Sequence, residues 1–311
     1  MLNVICGGNY MRFGGLGFVI LAAILWGVSG GIGGFLLDIG WDPLVLSFYR
    51  GAVGLVCILI WYLFQPTRLN KQLVFWSIVA GIGVAGNFIF YFVSISEGSI
   101  AVAATLMYTA PIFVLLISFM FRLEQASLFK WLAIGFVMVG VVLLTEVYSI
   151  GSASISMIGL VTGLGAGVSY ALFIFGFKYA SCHGQPQGIL TIAFLVFSVI
   201  TLLFIDRSEA ATVFYSLDLF WMILLGVFGS GLSFFLYVVG LKRASPTSAS
   251  IVAMVEPVTA CLIGLIVLSE QLTVTQLGGM GIILGTVTIL SEKKRKKAPL
   301  RSTNNIVKRD G

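Results

Sequence analysis

The chain alternates between long apolar runs and short polar breaks. Ten runs stand out, at residues 14–37, 44–64, 72–95, 98–121, 129–148, 157–178, 187–206, 217–241, 246–269 and 273–290. Each is close to the roughly 20 residues a helix needs to cross the hydrocarbon core of a bilayer. The pattern predicts an all-α membrane protein with ten transmembrane helices. Trp41, Trp61, Tyr62, Trp76, Trp131 and Trp221 stand at or near run ends, where amphipathic rings settle at the membrane–water interface. The stretch "SEKKRKKAPLRSTNNIVKRDG" breaks the pattern and reads as a basic, membrane-proximal tail at 291–311, with no role in nucleic-acid binding expected.

Composition agrees. Of 311 residues, 59% are hydrophobic and 10% charged, with a mean hydropathy of +1.08. A soluble domain carries about 25% charge, so a water-exposed globular surface is excluded. "MRFGGLGFVILAAILWG" reads like a natural start at Met11, with residues 1–10 as an extension. The first run is too long for the apolar region of a cleavable signal. Cys6, Cys57, Cys182 and Cys261 show no CxxC spacing, so apolar filler is expected rather than a metal site or a disulfide framework.

Charge placement sets an orientation. Ten helices put both termini on one side. With that side cytoplasmic, 16 of the 18 basic residues lie inside, Arg207 lies outside and Arg50 falls within a helix. The opposite face collects Asp38, Asp42, Glu97, Glu146, Asp206, Glu209, Asp218 and Glu270. The positive-inside rule then places both termini in the cytoplasm, with residues 1–13 as the N-terminal segment.

The two halves of the chain repeat at an offset of 146 residues without gaps. Gly83 meets Gly229, Tyr91 meets Tyr237, Ser99 meets Ser245, Pro111 meets Pro257, Glu124-Gln125 meets Glu270-Gln271 and Gly135 meets Gly281. Each half, 14–148 and 157–290, holds five runs. Five is odd, so the second copy is predicted to enter from the opposite face. Glu97 on the outer side corresponds to Arg243 on the inner side, which agrees. Two inverted five-helix repeats are a transporter signature, with the site near the midplane.

"AAILWG", "FYRGAVG", "YTAPIFVLLISFMFRLEQ" and "EPVTACLIGLIVLSEQL" carry a resemblance to the EamA family of the drug/metabolite transporter superfamily. The similarity spans about residues 14–290. It implies two five-helix repeats in a bacterial-type cytoplasmic membrane, and often export of amino acids or other small metabolites. It does not name a substrate.

Glu256 and Pro257 fall together at the middle of the ninth run. An acid at a helix centre costs about 2.5–3.5 kcal/mol on insertion scales. The symmetric position is Ala110, so the fold is compatible with a methyl there. That favours a functional acid, suited to proton exchange or to recognition of a substrate amine, over helix glue. Pro111 and Pro257 lie at matching depths and predict paired helix breaks at a polar cavity; passive kinks are the alternative. Arg50 lies roughly 10 Å below the outer surface and needs an anion or a route to water. Snorkelling, a substrate carboxylate and Glu256 are its candidate partners. Trp26, Asn87, Tyr91, Tyr108, Tyr170, Ser233 and Tyr237 lie inside runs and are candidates to line a pocket for an amphipathic metabolite, with packing as the alternative for each. The GxxxG pairs starting at Gly27, Gly30, Gly159, Gly163 and Gly281 are read as internal packing surfaces.

An intramembrane hydrolase needs a base beside its nucleophile. The sole histidine, His183, falls in a connection, and no lysine lies deep in a run. A channel calls for polar rings or a filter. The sequence reading is therefore a non-enzymatic secondary carrier, a monomer or homodimer. Its partners are a small-molecule substrate and the lipid bilayer, with protons as candidate coupling ion. It has no metal, cofactor or catalytic residue. Export is favoured and uptake is the alternative.

Overall fold

The computed structural model describes residues 15–124, 127–149, 156–267 and 271–297. Glu270, the possible start at Met11 and the tail beyond residue 297 lie outside them. The described chain runs α1 (Gly15–Asp38), α2 (Pro43–Phe64), α3 (Lys71–Ser96), α4 (Ile100–Met107), α5 (Ala110–Met120), α6 (Leu128–Thr145), α7 (Met157–Ala180), α8 (Pro186–Leu202), α9 (Arg207–Thr212), α10 (Leu219–Gly226), a π turn (Val227–Leu232), α11 (Ser233–Arg243), α12 (Pro246–Ala253), α13 (Val255–Val267) and α14 (Val274–Lys297). No strand occurs among the described residues. Asp42, Asn70, Ser99, Ser127 and Ser156 cap α2, α3, α4, α6 and α7 through their side chains. Each satisfies backbone donors that a helix start leaves open.

Nine helices among the described residues are long and apolar enough to span a bilayer. The run at 187–206, expected as one span, is bent. α8 has 17 residues, and the chain turns by 118° into Arg207–Tyr215. Asp206 causes the restart: its carboxylate accepts from the N–H groups of Ser208 and Glu209 and so opens a new helix. Counting the bent pair as one span gives ten.

Two spans are broken at the same register. α4 gives way to α5 at Tyr108-Thr109, and α12 to α13 at Met254. Residues 100–107 and 246–253 correspond at the 146-residue offset. The breaks precede the prolines. Pro111 is the second residue of α5 and Pro257 the third of α13. Their missing N–H groups fall among the first four of a helix, which have no intrahelical partner. The prolines therefore start half-helices rather than kinking continuous ones, which refines the sequence expectation.

The halves meet most extensively where α3 packs on α7. A Cβ on Gly176 would lie 2.6 Å from Ala80 N, and one on Gly83 would lie 2.6 Å from Phe173 N, so the two backbones approach at glycine distance. Gly27, Gly31, Gly159, Gly163 and Gly167 also face close neighbours, as expected. Gly281 and Gly285 have nothing within 4 Å of a built Cβ. That pair is not an internal packing surface, because α14 turns the other side, with Gly279 at Gly140 O, toward α6. Cys57 and Cys261 are half-buried and not in a disulfide. Cys182 is disulfide-bonded, which corrects the expectation of apolar filler there.

Polar ties join the halves at both ends. At one end Trp41 Nε1 donates to Asp218 Oδ2 (3.0 Å), Asp42 N to Glu209 Oε1 (2.8 Å) and Tyr49 Oη to Ala210 O (2.7 Å). At the other, Asn70 Nδ2 donates to His183 O (2.7 Å) and Gln187 Nε2 to Gln65 O (3.1 Å). Lys178, which the sequence places at a loop edge, is buried and donates to Leu241 O and Ala244 O, closing the end of α11.

Glu124, after α5, pairs with Lys130 and accepts from Thr247 N (3.1 Å). It thereby caps α12, whose own N-cap residue, Ser245, makes no capping bond. Burial pushes the Glu124 carboxyl up, but Lys130, Thr247 and Ser245 outweigh it and hold the carboxyl below the ordinary carboxylate range. The carboxylate therefore stabilises the fold above its unfolded pKa of about 4.3, and the contribution is lost as pH falls through the lower folded value. Glu124→Ala is expected to cost about 1.5–3 kcal/mol at pH 7. Melting curves in detergent should show that deficit shrinking below about pH 4; a deficit independent of pH would mean packing, not charge.

Candidate functional site

Glu256 stands in the first turn of α13. The break at Met254 thus exposes a helix N-terminus to this carboxylate. A partly buried charge at that position gains up to about 2 kcal/mol from the helix dipole. That offsets much of the roughly 2.5–3.5 kcal/mol insertion cost, so the acid and the proline belong to one device. α1 packs on this turn: a Cβ on Gly27 would lie 2.7 Å from Glu256 O and 2.5 Å from Thr259 Cβ. Glu256 itself is half-buried.

Arg50, on α2, also half-buried, lies within electrostatic reach of Glu256. The two are not in direct contact. Arg50 Nε and Nη2 both donate to Gly229 O, at 3.1 and 3.0 Å, and the guanidinium carbon sits 4.8 Å from the Phe88 ring centre. Of the expected partners, Glu256 acts on it through space, and the direct one is a backbone carbonyl that the sequence reading did not name.

Aromatic side chains complete the surroundings. The Trp26 ring lies 4.9 Å from Tyr237, 5.0 Å from Phe234 and 6.5 Å from Tyr170, and Tyr170 lies 4.5 Å from Phe173. Trp26 Nε1, Tyr170 Oη and Tyr237 Oη are buried without a hydrogen-bond partner among the described residues. Each such donor costs about 1–3 kcal/mol unless a polar guest or water meets it. The charge of Glu256 reaches Tyr91, Tyr108, Tyr170 and Tyr237. The Tyr170 hydroxyl faces the carboxyl but closes no hydrogen bond within 3.5 Å.

Trp26, Arg50, Tyr91, Tyr108, Tyr170, Tyr237 and Glu256 therefore share one neighbourhood. Asn87 is committed elsewhere, its Nδ2 donating to Ala166 O (3.0 Å) and tying α3 to α7. Ser233 follows the π turn, with its buried Oγ unpartnered. Pro111 is buried at the start of α5. Sequence reasoning missed Gly229, Phe88, Phe173 and Phe234. A signal was available: Arg50 corresponds to Val196 and Glu256 to Ala110, and the first-half counterpart of the π turn lies in uninterrupted α3. All three departures from the repeat meet at this site. A separate cleft of about 560 Å³ near Trp61, Gln65, Gln185, Gln187 and Phe235 contains none of the expected residues and no ionisable side chain.

The profile of the EamA-like transporter family matches residues 13–146 and 157–292. An uncharacterized transporter of Archaeoglobus fulgidus is 28% identical over 285 residues, covering 90% of this chain and 96% of its own. The uncharacterized inner membrane transporter YedA of Escherichia coli is 26% identical over 282 residues, covering 86% and 87%. YwfM of Bacillus subtilis, another uncharacterized transporter, is 21% identical, covering 90% and 94%. A solved crystal structure shares the fold with a TM-score of 0.67 at 15% identity, covering 91% of this chain and 98% of that one.

Proposed function

The chain belongs to the EamA-like transporter family, and on that premise we propose that it is a secondary carrier that moves a small metabolite across the cytoplasmic membrane by alternating access. Export of an amino acid or related compound is the favoured direction, with protons as the coupling ion. The carrier has ten membrane helices in two inverted five-helix repeats, 14–148 and 157–290, and works as a monomer or homodimer. Supporting the inversion are the gap-free repeat, its odd helix number and the paired breaks at one register. Rocking one repeat against the other then exposes the site to either side in turn.

The observation that carries the reading is Glu256, the first-turn acid of a half-helix, beside buried donors of Trp26 and Tyr237 that no atom of the described residues satisfies. A polar organic guest would meet those donors, and Glu256 would take up or release the coupled proton. Pro111 and Pro257 start the half-helices that frame the site, and Arg50 supplies positive charge. The test is metabolite profiling of cells with and without the protein. One compound class should accumulate inside the cells lacking it; identical profiles would count against the reading.

Both termini are placed in the cytoplasm, with 291–311 as a basic tail near anionic lipid. A reporter fused after Lys297 should be active only in its cytoplasmic form. Activity of a periplasm-dependent reporter at that point would invert the topology.

A further inference from the structure

The π turn at Val227–Leu232 interrupts a membrane helix that its first-half counterpart continues as α. Such turns gather at functional sites because they release a backbone group from the helix ladder. Here the released group is identifiable. In an α-helix Ser233 N would bond Gly229 O; it bonds Ser230 O instead. The Gly229 carbonyl is thus released from Ser233 N, and Arg50 takes it with two N–H groups. The register is the same length in both halves, so the turn is not an inserted residue. It is a local rewinding that coincides with an arginine where the other half has Val196.

Glycine at 229 is required for this approach. A Cβ there would lie 2.6 Å from Arg50 Nε, 2.8 Å from Ser29 Oγ and 2.9 Å from Ser29 Cβ. Of these, the arginine head is the end of a flexible side chain and gives way first. Phe88 holds the guanidinium from α3. The charge is thus fixed from two helices and kept off direct contact with Glu256.

We infer that Gly229 is a positioning residue: through the carbonyl its π turn releases, it sets where Arg50 stands relative to Glu256 in the transport site. The inference rests on the carrier reading above. A fixed guanidinium beside a carboxylate gives the site a defined plus-to-minus spacing, and that spacing selects guests by the arrangement of their own polar groups. Lysine cannot replace it, because a single ammonium lacks the fork that grips one carbonyl with two donors.

The experiment uses proteoliposomes loaded with an isotope-labelled total metabolite extract, with efflux read by mass spectrometry. Gly229→Ala should accumulate in the membrane and lose efflux about ten-fold or more. In an Arg50→Lys background, where the fork is already gone, the same alanine should cost less than about two-fold. Equal losses in both backgrounds would make Gly229 a packing residue and overturn the assignment. Because Gly229→Ala also meets Ser29, Ser29→Gly/Gly229→Ala is the second variant, leaving Arg50 Nε as the nearest atom to the new methyl. It should accumulate and show the same loss; recovery of full efflux, or failure of both variants to accumulate, would overturn the assignment equally. Absence of efflux from the unaltered protein would strike the carrier reading instead.

Discussion

Glu256→Ala will leave a folded protein in the membrane whose flux is at least about 100-fold lower, on the scale of losing a proton-transfer group. The symmetric position already carries a methyl, Ala110, at the first residue of α5. Removing the acid also removes the part of its insertion cost that the helix dipole leaves uncompensated, so accumulation and thermal stability should hold or rise. The backbone contacts of the turn survive, because Gly27 meets Glu256 O and not its carboxyl. Glu256→Gln keeps the shape and much of the hydrogen bonding. It should fail in the same way, and any residual flux should no longer respond to pH. Normal transport by both variants at every pH would reduce Glu256 to a structural residue. Failure of both to accumulate would make the acid helix glue.

The second large effect is on stability. Gly176→Ala will destabilise the protein by about 1–3 kcal/mol, because the new Cβ meets Ala80 N at 2.6 Å and Ala80 Cα at 2.8 Å, both backbone atoms. Neither helix can yield without opening the α3–α7 interface, where the halves pack most extensively. Gly135→Ala is the control. A Cβ there meets nothing within 4 Å, and alanine in a helix is better than glycine by roughly 0.5–1 kcal/mol. The same chemical change should therefore lower the melting temperature at one site and leave it level or raise it at the other. Equal shifts would mean that helix propensity, not close approach, governs these glycines.

Much of the candidate site's neighbourhood was legible in the residues alone. Glu256 was conspicuous because a lone acid in an apolar run is costly, and Pro111 and Pro257 marked breaks at one register. The tyrosines and Trp26 stood out as polar-tipped rings inside spans. Asn87 looked equivalent to them but is spent on Ala166 O. Nothing in its sequence neighbourhood says which helix it faces. The pairing of Arg50 with Gly229 was invisible, since a backbone carbonyl has no letter of its own and becomes available only when a helix rewinds.

The amino-acid sequence by itself determined that this chain lives in a bilayer, where most of its spans lie, that its halves repeat, and that the fourth and ninth runs break near their prolines. These follow from local terms: the transfer free energy of about 20 apolar residues and the missing donor and fixed φ of proline. The tertiary structure decided the rest. It set the rotation of each helix about its axis, which buries Gly176 and leaves Gly281 open. It set the capping of α12 by Glu124 from the other half and the carbonyl that holds Arg50. Each of these depends on groups more than a hundred residues apart or on the facing of neighbouring helices, and such distances close only when helices pack.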